Sequence, residues 1–322
     1  MKIARHLREL HSNRKLLIDR LASEIKDQLK PLVESKEWFF ASRVKELESF
    51  ALKIETGRTS QPERLEDFFA CTIVVPTLKQ VPEAEKLVSS LYDIQERRPK
   101  NDEETHKESS NFVFDDLRLY VARRPSSSGK NEDLEGVAFE VQIKTILQHA
   151  WAVATHDLIY KTDGASWAKE RIAFQVKAML EHAEVAIAEA ERLSVALGVS
   201  KTDQKTTETV KLIELIKNVW SPDSLPKDVK RLAENIYGLM RACEVSVDAF
   251  PQIIQAEQAR VGQLPTNLSP YAFVVQALAN STVIEFKDKF LRRRVRTRIV
   301  IHDEMDLPNW VNDPHERIVK IS

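Results

Sequence analysis

The chain has 322 residues, 43% hydrophobic and 30% charged, and its acids and bases offset to a net charge of -1. That length suits two domains, and the balanced charge favours no polyanion as a whole, so only local patches bear on one. Two cysteines in apolar surroundings, Cys71 and Cys243, exclude a disulfide framework or thiolate metal site and point to a reducing compartment. The opening "MKIARHLRELHSNRK" lacks a signal peptide's apolar run, and no stretch nears the ~20 apolar residues of a membrane span. A cytoplasmic protein with no membrane partner is expected.

In chain order, residues 12–32 place Leu17, Leu21, Ile25 and Leu29 at helical spacing, with Ser12 as candidate N-cap and Pro31 as candidate stop. "CTIVV" (71–75), "LRLYVA" (117–122) and "VAFEVQI" (137–143) are β-branched and aromatic-rich, and predict strands. The polar runs "RRPKNDEETHKESSN" (97–111) and "RRPSSSGKNEDLEG" (123–136) predict a long loop and the turn of an extended hairpin. Helix is predicted again over 146–161 and 167–197. The second has Ile172, Val176, Met179, Ala183, Ile187, Ala190 and Leu193 in one stripe, with Gly198 placed to end it. "VSKTDQKTT" (199–207) has no core-forming pattern and reads as a linker. Beyond it, 208 to about 290 is helical again. The chain is therefore read as an α+β domain over 1–198 and a smaller, mostly helical domain over 208–322.

One stretch carries more chemistry than a strand and helix need: "EVQIKTILQHAWAVATHDLIYK" (140–161). Alternation sends Val137, Phe139, Val141 and Ile143 to one side, and Ala138, Glu140, Gln142 and Lys144 to the other. In the helix, His149, Ala152, His156 and Tyr160 share one side. An acid, an amide and a base in a row also suit a solvated sheet face, and periodicity leaves both readings open.

The order of residues resembles the E-x-Q-x-R-T…W…H-x-L-x-Y-K signature of the RelA/SpoT family of nucleotide pyrophosphokinases, the alarmone synthetases. Upstream, "SRVKELESFALK" (42–53) is similar to the family's R-x-K-x-x-x-S-x-x-x-K element at Arg43, Lys45, Ser49 and Lys53. "LEDFFACTIVV" (65–75) resembles its D-x-x-G-x-R segment at Asp67. The resemblance spans about residues 15 to 197. It implies a mixed β-sheet flanked by helices, nucleotidyltransferase-like, with an all-helical C-terminal addition. The implied reaction moves pyrophosphate from ATP to the 3′-hydroxyl of GDP or GTP. By resemblance Arg43, Lys45, Ser49 and Lys53 bind ATP, and Asp67 and Glu140 are catalytic and hold Mg²⁺. Phe114, Arg118, Gln142, Lys144, His156 and Tyr160 bind the acceptor, and Lys161 completes the motif. The basic residues also suit a solvated face, Phe114 a core, and His156 and Tyr160 a helix-to-sheet lock. The first motif starts at Ser42, which leaves too little chain ahead of it for the HD hydrolase domain of bifunctional members. The His-Asp pairs at 156–157 and 302–303 have no accompanying ligand set.

The departures concern the acceptor. The Gly and Arg of D-x-x-G-x-R are Ala70 and Thr72, and the arginine of E-x-Q-x-R-T is Lys144, which lacks a bidentate fork. The family's N-G-Y-x-S-L-H loop falls on "FVFDDLRLYV" (112–121), with Phe114 for Tyr, Asp116 for Ser and Arg118 for His. Stacking needs only an aromatic face, which Phe114 retains. Two alternatives stay open. One is a toxin-like pyrophosphokinase acting on adenine nucleotides or the 3′ end of tRNA, which "KDKFLRRRVRTR" (287–298) would dock. The other is a catalytically weak nucleotide-binding regulator. A homo-oligomer is consistent with the small synthetases of the family.

Overall fold

The computed structural model describes residues 2–57, 65–101, 112, 114–124, 131–155, 166–196, 198–282, 284–292 and 294–321. The chain divides into two compact units, residues 1–199 and 200–322. The first runs α1 (Arg5–Glu34), β1 (Phe39–Val44), α2 (Leu47–Glu55), β2 (Phe69–Val75), α3 (Val81–Leu91), β3 (Tyr92–Arg98), β4 (Leu117–Arg123), β5 (Ala138–Thr145), α4 (Ile146–Thr155), α5 (Trp167–Ala188) and α6 (Ala190–Ser194).

Its strands make one mixed sheet in the order β1-β2-β5-β4-β3. β2 and β5 run parallel, and the other neighbours are antiparallel. Strand alternation gives this sheet two different faces. Cys71, Ile73, Leu119, Val121, Phe139, Val141 and Ile143 join Ile18, Leu21, Ile25 and Leu29 of α1 and Ala84 and Val88 of α3 in one core. Each large side chain fully buried there contributes ~1.5–3 kcal/mol. The opposite face carries Ala70, Thr72, Arg118, Tyr120, Glu140, Gln142 and Lys144, and the site is built on it.

Several boundaries differ from those expected. α1 starts at Arg5, so Ser12 lies inside it, and Pro31 is accommodated in its last turn, where a missing N–H costs little more than one hydrogen bond. β1 and β3 go unread from sequence because they are the sheet's edges, and exposed charge on an edge strand blurs its pattern. The helix expected over 167–197 breaks at Glu189. Its apolar stripe faces outward: Ile172 is 56% and Met179 71% exposed, whereas Ala173, Lys177 and Glu184 are buried.

The second unit runs α7 (Gln204–Val219), α8 (Val229–Ala242), α9 (Phe250–Val261), α10 (Pro270–Asn280), α11 (Phe286–Phe290), β6 (Ile299–His302) and β7 (Ile318–Ile321). Residues 204–207, expected as linker, are the first turn of α7, because the Asp203 side chain accepts from the Thr206 N–H at 3.0 Å and caps it. Leu212, Ile216, Leu232, Ile236, Phe250, Ile254, Phe273 and Phe290 lie in its core. The unit is mostly helical but not all-helical as expected, because β6 and β7 form a two-stranded parallel ladder in it. Glu257, 3% exposed, accepts from Arg260 at 2.7 and 2.9 Å, Gln276 at 2.7 Å and Asn280 at 3.3 Å. Arg260 also holds Asp306 at 2.5 Å. This satisfied cluster ties α9 and α10 to the segment after β6.

Candidate active site

The polar face is ordered by strand register. Arg43 lies opposite Ala70, Ala70 beside Glu140, and Glu140 opposite Tyr120. One step along, Thr72, Gln142 and Arg118 form the next row. Three of four neighbouring strands, β1, β5 and β4, therefore deliver an acid, an amide and two guanidinium groups to one surface.

At one side of it, Asp67 precedes β2 and is clasped by two lysines. Lys53, from α2, meets Asp67 Oδ2 at 2.7 Å, and Lys45, just past β1, meets the same oxygen at 3.0 Å. Burial pushes the Asp67 carboxyl up, but the two ammonium groups together outweigh it and hold the group below its ordinary value of 3.8. The other oxygen, Oδ1, is buried and has no hydrogen-bond partner among the described residues. The Lys45 backbone is fixed in turn: its N–H donates to the Phe68 carbonyl at 2.7 Å. Its carbonyl accepts from His11 Nε2 at 3.0 Å, and the His11 ring packs between Phe50 and Phe68.

Glu140 is 4% exposed. Its Oε2 accepts from Gln142 Nε2 at 3.1 Å, and its Oε1 lies 3.8 Å from Arg118 Nε. Arg118 also pairs with Asp116 at 3.3 Å, and Lys144 meets the same carboxylate at 3.6 Å. Burial, and then the charge of Glu140, pushes the Tyr120 hydroxyl up. The Arg98 guanidinium stacks 4.6 Å from the Tyr120 ring centroid.

A cavity of about 670 Å³ opens on this face, lined by Arg43, Thr72, Arg118, Gln142 and Lys144 on the sheet side. Phe114, Asp115, His149, Trp151, Phe174 and Lys177 line it elsewhere. The helix side is anchored by a capping box at the start of α4. The Gln148 N–H donates to Thr145 Oγ1 at 3.1 Å, and the Thr145 N–H to Gln148 Oε1 at 2.9 Å. Gln148 Nε2 reaches the Asp115 carbonyl at 2.8 Å, and the Thr145 hydroxyl donates to Glu184 at 2.6 Å. Burial pushes the Glu184 carboxyl up, partly countered by that hydroxyl. Burial and then the charge of Lys144 push the His149 imidazole below 6.5.

Of the residues expected from sequence, the structure thus gathers Arg43, Phe114, Arg118, Gln142 and Lys144 around one cavity. Glu140 lies in the sheet beside it, and Lys45 and Lys53 sit on Asp67. Phe114 lines the cavity but is 5% exposed, so little of its ring is open to a stacking partner. Ser49 is exposed on α2, outside this cluster's hydrogen bonds among the described residues. His156, Tyr160 and Lys161 lie outside the described residues. Sequence reasoning missed Gln148, Asp115 and Lys177. The T-x-x-Q of the capping box announces Gln148, but a lone lysine on a helix carries no local signal.

Residues 42–165 match the model of the RelA_SpoT family, a region found in RelA / SpoT proteins. Over those residues, 124 of the 322, the chain is similar to the RelA/SpoT region. The RelA/SpoT region holds Arg43, Lys45, Lys53, Asp67 and Glu140 alike. Among solved structures, the chain is similar to small alarmone synthetase 1 from Bacillus subtilis at 19% identity, covering 57% of this chain and 98% of that one with a TM-score of 0.47. The same protein bound to its product pppGpp gives 21% identity, the same coverage and a TM-score of 0.46. A GTP pyrophosphokinase family protein from Streptococcus pneumoniae gives 18% identity over 56% of this chain and 89% of that one, with a TM-score of 0.39. None of the curated proteins matches the chain.

Proposed function

We propose that the chain transfers the β,γ-pyrophosphate of ATP to the 3′-hydroxyl of a guanine nucleotide, GDP or GTP. The supporting observation is Asp67, held ionised by Lys45 and Lys53 with one buried oxygen unpartnered among the described residues, just ahead of strand β2, which pairs with the strand of Glu140. In the reaction the acceptor's 3′ oxygen bonds to the β-phosphorus. The bond from that phosphorus to the α,β-bridging oxygen breaks, and AMP leaves with the electron pair. Glu140 orients the hydroxyl by accepting its hydrogen bond, and the proton passes to water as the new bond forms. Arg43, Arg118 and Lys144 bind phosphate oxygens along the sheet face.

Asp67 Oδ1 and Glu140 would hold Mg²⁺. Among the described residues no three His, Cys, Asp or Glu side chains gather as a metal site. Two carboxylates still suit an ion that takes its remaining ligands from water and phosphate. When bound, Mg²⁺ supplies charge neutralisation on the β- and γ-phosphates.

A second reading, transfer to the 3′ end of tRNA, draws on exposed Arg292, Arg294, Arg296 and Arg298. Two of these, Arg292 and Arg294, are already paired with Glu244, which weakens that docking surface. The regulator reading gives no reason for a buried, unpartnered carboxylate oxygen. Incubation with ATP, Mg²⁺ and GDP followed by mass analysis tests the proposal. AMP and a guanosine 3′-diphosphate in equal amounts are expected. ADP and inorganic phosphate in their place would refute pyrophosphate transfer.

A further inference from the structure

Helix α5 turns its polar side inward, and Lys177 is the part of that side which reaches the cavity. A lysine is seldom buried unless its charge is used. Lys177 is 8% exposed, with its Nζ 5.3 Å from the Trp151 ring centroid and 3.4 Å from Asp115 Oδ1. Trp151 and Asp115 line the same cavity, as do Phe114, adjacent to Asp115, and Phe174, one turn before Lys177. This group makes an aromatic end suited to a flat base, whereas Arg43, Arg118 and Lys144 make a cationic surface suited to phosphates.

We propose that Lys177 is a specificity-determining residue that reads the O6/N7 edge of the acceptor's guanine, with Asp115 as its positioning residue. The inference rests on the guanine-nucleotide reading above. On that edge guanine presents two acceptors, whereas adenine presents N7 and an amino donor. An ammonium group carries three donors and no acceptor. It therefore matches guanine at both atoms and meets the adenine amino group donor to donor. The Trp151 ring and the Asp115 carboxylate hold the ammonium in place beforehand, so less freedom is lost when the base arrives. Neither the composition of α5 nor its apolar stripe signals this, because the stripe faces away from the site.

Calorimetric titration of the full chain with GDP, IDP and ADP tests it, since IDP keeps O6 and N7 but lacks the 2-amino group. The wild type is expected to bind GDP and IDP alike and ADP at least ~10-fold more weakly. Lys177→Met is expected to weaken GDP and IDP by ~10- to 100-fold, to leave ADP unchanged, and to be rescued largely by Lys177→Arg. Unchanged GDP affinity in Lys177→Met overturns the proposal. So does an equal loss for all three ligands, which would place the lysine on the phosphates, or a wild type that does not bind GDP. Should Lys177→Met fail to fold, Asp115→Asn takes its place, with a smaller loss for GDP and IDP alone as the expected result and no selective loss overturning it. Binding is read without turnover, so a protein that reads guanine but transfers nothing would sink the proposed activity and spare this inference.

Discussion

A half-buried carboxylate in the first unit, Asp67, and a buried one in the second, Glu257, are treated in opposite ways. Glu257 has both oxygens occupied by Arg260, Gln276 and Asn280, and its cluster joins helices. Asp67 concentrates two ammonium groups on one oxygen and leaves the other buried and, among the described residues, unpartnered. An unsatisfied buried acceptor costs ~1–3 kcal/mol, a cost that a purely structural acid avoids. The difference separates a clasp from the proposed cation site, and each can be perturbed without the other.

The largest effect is expected at Asp67. Asp67→Asn should lower kcat/KM for pyrophosphate transfer by about 10³-fold or more, with a melting temperature close to wild type. A variant with wild-type turnover would remove Asp67 from the chemistry. Glu140→Gln should lower kcat by ~10²- to 10⁴-fold while calorimetry finds ATP affinity largely intact. Loss of ATP affinity instead would make Glu140 a donor-side residue. Glu257→Ala inverts the pattern, with a stability loss of ~3–5 kcal/mol from the now unpaired partners and unchanged transfer per folded molecule. Denaturant titration alongside the activity assay separates the two. Phe114→Ala should raise the acceptor KM by less than the ~10-fold of a full base stack, because little of its ring is open, yet by more than it changes the ATP KM. An unchanged acceptor KM would leave Phe114 a packing residue.

The smallest effect concerns pH. The His149 imidazole is held below its ordinary 6.5 by burial and by Lys144, so the unfolded chain binds a proton there before the folded one does. Stability contributed by neutral His149 is full above 6.5, declines as pH falls below that value, and levels off once pH is below the folded-state pKa. His149→Asn should flatten that slope in thermal melts between pH 5 and 7. A slope as steep in the variant as in the wild type would assign it to other groups.

Sequence made the interior of the first unit more legible than its rim. β2, β4 and β5 were readable because β-branched and aromatic runs are buried on at least one side, whereas β1 and β3 carry edge charges that mask alternation. Arg43, Lys45, Lys53, Asp67 and Glu140 were readable because their order along the chain matches a family pattern. Arg43 and Glu140 share a row through strand register, which pairs Arg43 with Ala70 and Ala70 with Glu140, whereas Lys45 and Lys53 meet Asp67 through side-chain contacts. The direction of α5 was not readable. Periodicity reports that Ile172, Val176 and Met179 share a side, but only packing decides which side meets the sheet. For α8 the apolar side is buried, with Leu232, Ile236 and Met240 in the core, and for α5 it is exposed. Lys177 and Asp115 were hidden for the same reason, because they meet across more than sixty residues of chain in the fold and share no local motif.

The most direct test of the account is transfer from γ-labelled ATP with Mg²⁺, offering GDP, GTP, ATP and bulk tRNA in parallel. The account predicts label on the guanine nucleotides with AMP released in step. Label on tRNA or ATP alone, or none on any acceptor while ATP binds, would contradict it.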